Sequence, residues 1–123
     1  MQPEERDKAY LWDMVESAQL IVEFMKGLTM EQFVADNKEA FIMRLAVERK
    51  LEILGEAARR ISISFKQAHP EIPWPSIIGL RNVISHEYER VDYDLIYRLI
   101  QQQLPTLVDM LVPLIPPLPP EEP

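Results

Sequence analysis

The chain has 123 residues, enough for one domain with a hydrophobic core and too few for two domains of ordinary size. Its composition, 47% apolar with 27% charged residues and only three glycines, is typical of a helical protein rather than a β-sandwich or a disordered chain. The absence of cysteine excludes disulfides and thiolate metal sites, and the net charge of −7 argues against indiscriminate coating of nucleic acid.

The first nine residues are rich in charge, and no run of about twenty apolar residues occurs in the chain. We therefore expect neither a signal peptide nor a membrane-spanning segment, and a cytoplasmic location.

A first helix is predicted over residues 4–26, with acidic residues at its start and Gly27 as its stop. Its apolar residues recur every three or four positions, which indicates one buried face. They are Leu11, Met14, Val15, Ala18, Ile21, Val22 and Met25.

Two capping boxes follow, Thr29 with Gln32 before a short helical turn and Asp36 with Glu39 before a second long helix. We expect that second helix to reach about Phe65. Its apolar residues alternate in steps of four and three, a pattern suited to near-antiparallel packing against another helix. Gly55 lowers helix propensity by about 1 kcal/mol relative to alanine, and a close approach by another helix is a plausible reason for it.

A loop is predicted over residues 66–75, followed by a third helix from Pro75 or Ser76 to about Tyr88. A fourth helix should run from the cap at residues 91–94 to Leu111, with a kink at Pro105. The sequence thus predicts an all-α antiparallel bundle of four main helices plus a short helical turn. The bundle would span residues 1–112, and residues 113–123 would form a flexible proline-rich tail.

Most motifs for catalysis are absent. The sequence has no glycine-rich phosphate loop, no HExxH and no GxSxG, and its two histidines stand seventeen positions apart. We therefore predict neither a metal site nor a cofactor. The acidic and basic residues of the second long helix are, on spacing alone, best explained as a solvated face with ion pairs.

One segment, residues 81–88, carries a possible active site. Asn82 and His86 are four residues apart, so on a helix they share a face and the amide can orient the imidazole. Arg81 can bind phosphate, and an imidazole beside it provides the base and cation that metal-free RNA cleavage needs. Spacing alone favours the simpler alternative, an interface arginine near a hydrogen-bonded histidine.

The segment resembles the Arg-polar-x3-His signature of the HEPN superfamily, in the Arg81-x4-His86-x-Tyr88 form of its HepT-like toxin branch. The resemblance also covers the acidic first helix, Phe33, the run at residues 53–58 and the Ile-Pro-Trp at 72–74, in the family's order. Only the proline-rich tail lies outside it.

The resemblance implies a homodimer with a cleft at its interface. Arg81 and His86 would there catalyse metal-independent endoribonuclease chemistry on tRNA or mRNA, with Asn82 supporting the histidine. It further implies a toxin–antitoxin system in which a minimal nucleotidyltransferase antitoxin attaches AMP to Tyr88. Such a modification would add negative charge and bulk where the RNA phosphate must lie.

The charge distribution is compatible with RNA binding at this place. Residues 41–80 carry six Lys or Arg against four Asp or Glu and are the only net-positive third of the chain. We expect the cleft to be lined by Arg44, Arg49, Arg59 and Arg60. Two alternatives stay open: a non-catalytic helical adaptor that binds nucleotide or the nucleotidyltransferase, and a structural dimer in which the arginine and histidine are incidental.

Overall fold

The computed structural model describes residues 3–84 and 91–115, and within these ranges it contains helices and no strand. The all-α prediction is confirmed. The helices are α1 (Pro3–Met25), α2 (Met30–Phe33), α3 (Lys38–Arg60), α4 (Ile63–Ala68), α5 (Trp74–Ile78), α6 (Leu80–Ile84), α7 (Tyr93–Leu111) and a 3-10 turn (Val112–Leu114). None of the described helices is both long and apolar enough to cross a membrane.

α1 lies antiparallel to α3 and α7 and forms the centre of the bundle. Near its start, the buried Asp7 carboxylate accepts hydrogen bonds from the Ser62 backbone N–H at 2.8 Å and the Ser62 hydroxyl at 2.6 Å, just beyond the end of α3. At its other end, the Met25 carbonyl accepts a hydrogen bond from Gln101 of α7 at 3.1 Å. The predicted apolar face is buried at every position except the half-buried Val22.

The starts of α2 and α3 are capped by side chains. The capping box of Thr29 and Gln32 is confirmed, with both reciprocal bonds formed. The predicted cap at Asp36 is wrong. Asn37 caps α3 instead, because its extended backbone brings its side-chain oxygen within 2.8 Å of the Ala40 backbone N–H.

α3 is shorter than predicted and ends at Arg60 rather than near Phe65. Ile61 adopts extended backbone, and the Ser62 hydroxyl accepts a hydrogen bond from the Phe65 N–H at 3.2 Å, which starts the separate helix α4. The predicted loop therefore begins only after Ala68. The apolar seam of α3 is nevertheless buried as expected, at Val47, Leu51, Leu54, Ala58 and the adjoining Ile61.

The predicted third helix is two short helices. α5 starts at Trp74, one residue earlier than expected, and Pro75 lies in its first turn. Backbone N–H groups in the first turn have no carbonyl partner within the helix, so the N–H that proline lacks costs no hydrogen bond there. Gly79 ends α5, and its N–H donates to the Pro75 carbonyl at 2.9 Å. α6 follows directly, and residues 85–90, where the predicted helix would continue, lie outside the described residues.

α7 begins at Tyr93, where Asp92 caps the Leu95 N–H at 3.0 Å, and it contains Pro105 within a continuous helix. The kink expected at this proline stays a prediction. The 3-10 turn follows at Val112–Leu114, so residues 113 and 114 are helical although the tail was expected to begin there. Pro113 fits the first turn of a helix because its absent N–H is not needed there.

The expected close helix approach at Gly55 is confirmed, and α5 with α6 is the partner. A Cβ atom placed on Gly55 would lie 3.1 Å from the Ile77 carbonyl oxygen and 3.7 Å from the Arg81 backbone nitrogen. Only glycine lets the two backbones approach so closely.

We expect Gly55→Leu to lower the free energy of unfolding by about 2 kcal/mol, because the added side chain meets backbone that cannot rotate away. Urea denaturation measures the change. Gln102→Leu, at an exposed position of α7, is the control and should leave stability nearly unchanged. Equal stability of the two variants would contradict the proposed contact.

Candidate active-site groove

The described part of the Arg81–Tyr88 motif consists of its first residues. Arg81 and Asn82 both lie in α6 with exposed side chains, and the Asn82 backbone N–H donates to the Gly79 carbonyl at 2.9 Å. The positions of His86 and Tyr88 lie outside the described residues. The structure therefore fixes one end of the predicted site.

Arg81 lines a groove of about 450 Å³ whose floor is the outer face of α3 and whose walls are α1 and α6. Its lining within residues 3–84 and 91–115 consists of Tyr10, Asp13, Arg49, Glu52, Ile53, Glu56, Ala57, Arg60 and Arg81. The groove thus brings Arg49 and Arg60, two of the expected RNA-binding residues, to the same place as the motif arginine.

Glu56 is the centre of an ion-pair cluster at the groove. Its carboxylate accepts hydrogen bonds from Arg59 at 2.6 and 3.1 Å and from Arg60 at 2.9 Å. These bonds lower the pKa of Glu56 to about 2, so the carboxylate is ionised at neutral pH. The Tyr10 hydroxyl and Glu56 together raise the pKa of Arg60. Arg59 belongs to the cluster but does not line the groove.

The remaining charges of the groove are less tightly paired. Arg49 makes one long contact with Glu52, at 3.4 Å, and its side chain is 72% exposed. Burial raises the pKa of Asp13, an effect increased by Glu16 and reduced by Lys50. Among the described residues, no hydrogen bond or ion pair engages the Arg81 guanidinium or the Asp13 carboxylate. Arg81 is therefore an exposed cation without an anionic partner in the part of the chain that the structure describes.

Arg44, the fourth expected RNA-binding residue, lies elsewhere. Its guanidinium donates to the Phe33 carbonyl at 2.7 Å and the Ala35 carbonyl at 3.0 Å, and it lies 5.1 Å from the Tyr93 ring centroid. The Tyr93 hydroxyl in turn donates to Glu48 at 3.1 Å. Arg44 therefore connects the end of α2, α3 and the start of α7, and it is separate from the groove.

Sequence reasoning missed the α1 side of the groove. Tyr10 and Asp13 are three residues apart on α1 and lie outside the apolar face that its spacing predicts. The available signal was an aromatic and an acidic residue at helical spacing within a charged first helix. That signal is weak without the position of Arg81.

An exposed apolar surface continues from the groove along the same two helices. We name it the apolar patch and define it as Leu20 and Phe24 of α1 with Phe41, Ile42 and Leu45 of α3, which are 44–61% exposed. Leu20 follows Asp13 by seven residues, and Leu45 precedes Arg49 by four, so patch and groove share one face of each helix. Contiguous exposed apolar side chains of this kind mark interaction surfaces.

Comparison with known proteins finds a matching family and several similar proteins. The model of the family "Ribonuclease HepT-like" matches residues 14–114. The chain is 39% identical over 100 residues to "Putative RNase MJ1380" of Methanocaldococcus jannaschii, covering 81% of this chain and 88% of that protein. It is also 39% identical over 100 residues to "Probable ribonuclease HepT" of Thermococcus cleftensis, covering 81% and 87% of the two chains.

A third relative, "Putative RNase TTE0752" of Caldanaerobacter subterraneus, is 33% identical over 100 residues, with 81% of this chain and 86% of that protein covered. No solved structure gives a significant match. The family model covers most of the helical bundle, including the groove floor and Arg81. The chain therefore belongs to the ribonuclease HepT-like family.

Proposed function

We propose that this member of the ribonuclease HepT-like family is a metal-independent endoribonuclease that cleaves RNA at Arg81 and His86. The observation that carries the proposal is the Arg81 guanidinium, which is exposed in a groove and has no anionic partner among the described residues. A guanidinium in this state can bind a phosphodiester without first breaking an ion pair.

The chemistry requires a base, a proton donor and a cation. His86 removes the proton of the 2′-hydroxyl, and the 2′-oxygen attacks phosphorus while the bond to the 5′-oxygen breaks. The departing 5′-oxygen takes up a proton from the imidazolium form of His86, and the product carries a 2′,3′-cyclic phosphate. Arg81 stabilises the charge that develops on the phosphoryl oxygens, and Asn82 orients His86.

Arg49 and Arg60 guide RNA toward Arg81, with Arg59 in support through the shared Glu56. Arg44 does not belong to this RNA-binding set, because its guanidinium is engaged with backbone carbonyls and Tyr93.

The enzyme acts as a homodimer, and the apolar patch supports this part of the proposal because a second copy would cover it. α1 carries the exposed Glu23 beside the patch, whereas α3 continues into the exposed Arg49. A two-fold axis that lays α1 of one copy along α3 of the other would bring unlike charges together. The two charged grooves would then adjoin, with Arg81 and His86 of both copies around one cleft.

The enzyme is the toxin of a toxin–antitoxin system, and a nucleotidyltransferase antitoxin silences it by attaching AMP to Tyr88. The phosphate of the modification would compete with RNA for Arg81, which lines the groove and precedes Tyr88 by seven residues in the sequence.

We expect Arg81→Ala and His86→Ala each to reduce RNA cleavage at least about a hundredfold, since each removes a group that acts in the transition state. The assay follows tRNA and mRNA with the wild-type protein in EDTA. Arg98→Ala changes an exposed arginine of α7 outside the groove and is the control. Cleavage that is equal in wild type and His86→Ala would contradict the catalytic role and favour a non-catalytic adaptor.

We expect Leu45→Glu to convert the dimer to a monomer, because it places a carboxylate in the centre of the apolar patch. Light scattering after size-exclusion chromatography measures the mass. Ile63→Glu is the matched control, since Ile63 is 73% exposed but lies on α4, away from the patch. A dimer that persists in Leu45→Glu would exclude the patch as the interface.

Co-expression with a minimal nucleotidyltransferase should add the mass of AMP to the peptide containing Tyr88, as measured by mass spectrometry. Tyr10, Tyr93 and Tyr97 in the same digest are internal controls. Modification should be absent from Tyr88→Phe. An unmodified Tyr88 beside an active transferase would count against this regulation.

A further inference from the structure

We propose that the groove beside Arg81 is a pocket for a guanine base, which selects RNA with guanine next to the cleaved phosphate. The inference rests on the proposed ribonuclease function and adds a sequence preference to it. Three properties of the groove support it: its positive and negative charges are equal in number, its walls fit a base, and the Asp13 carboxylate has no hydrogen-bond partner among the described residues.

The charge of the groove is unsuited to a phosphate chain. Three arginines face three carboxylates, and Glu56 is ionised and bonded to Arg59 and Arg60. A phosphodiester laid along α3 would meet the carboxylates of Asp13, Glu52 and Glu56. Arg81, without such a partner among the described residues, is the better phosphate ligand. The uncharged base would then occupy the groove while its phosphate stays at Arg81.

The walls of the groove fit a nucleobase. Its volume of about 450 Å³ exceeds that of a purine, and its floor includes the apolar side chains of Ile53 and Ala57. Tyr10, half-buried, provides an aromatic ring on the α1 wall. Proteins that bind single-stranded RNA stack unpaired bases on aromatic side chains and read the Watson–Crick edge with polar groups.

The polar groups available for that edge are hydrogen-bond acceptors. Asp13 has no hydrogen-bond partner among the described residues, and Glu52 has only the long contact with Arg49. Guanine offers two adjacent donors, N1–H and the 2-amino group, which match the two oxygens of one carboxylate. Adenine, cytosine and uracil each place an acceptor beside their donor on this edge, so a carboxylate would repel them at one of the two contacts.

The test measures binding separately from cleavage. Isothermal titration of the wild-type protein with the 3′-monophosphates of guanosine, adenosine, cytidine and uridine should show about tenfold tighter binding of the guanosine nucleotide. Asp13→Asn and Glu52→Gln keep the size of each side chain but remove a charged acceptor, and the preference should be lost in at least one of them. Asp109→Asn, an exposed residue of α7 outside the groove, is the control and should retain the preference.

Tyr10 is tested by a pair of variants. Tyr10→Phe keeps the ring and should bind all four nucleotides as before, whereas Tyr10→Leu should weaken all four about tenfold. If Tyr10→Leu does not fold, the carboxylate variants still decide the question.

Equal affinity for the four nucleotides, or a guanine preference that survives both carboxylate substitutions, would overturn the pocket. RNA cleavage without preference for guanine beside the cut would also overturn it, while the proposed ribonuclease would stand. Guanosine binding that depends on Asp13 or Glu52 without any RNA cleavage would support the pocket and contradict the proposed activity.

Discussion

The missing side chain at Gly55 is the constraint on which the position of Arg81 depends. With the Ile77 carbonyl only 3.1 Å from where a Cβ would lie, any larger residue at this position would push α3 and the α5–α6 pair apart. Because the Arg81 backbone nitrogen is at the same contact, the guanidinium is carried over the outer face of α3 rather than away from it. A residue with no side chain thus determines where the proposed catalytic cation lies, and the loss of helix propensity at Gly55 is the accompanying cost.

Most charges of the groove are paired with one another within α3. Glu56 holds Arg59 and Arg60 close to the helix, and Arg81 is left as the cation from a different element. This arrangement explains how a chain with a net charge of −7 can belong to a ribonuclease family. Attraction of RNA would come from a few placed arginines rather than from a general positive surface, and binding should weaken as salt rises.

Periodicity was sufficient to predict the buried residues but not the interruptions of the helices. The buried faces of α1 and α3 follow from apolar spacing, and the close approach at Gly55 follows from the propensity of glycine. The break at Ile61–Ser62 could not be predicted that way, because the apolar pattern continues to Phe65 and the break depends on a hydrogen bond from Ser62 to the distant Asp7. The groove was equally hidden, since Tyr10 and Asp13 acquire a role only when α1 lies beside Arg81.

α3 also holds both ends of the segment that carries His86 and Tyr88. Before the segment, α6 is seated at Gly55; after it, Tyr93 is bonded to Glu48 and covered by Arg44. Gly55 and Glu48 are seven residues apart on one helix, a rise of about 10.5 Å. The length of α3 between Gly55 and Glu48 therefore sets the distance between the two contacts that flank this segment. Glu48 and Arg44, which do not line the groove, therefore contribute the second attachment of this segment through their contacts with Tyr93.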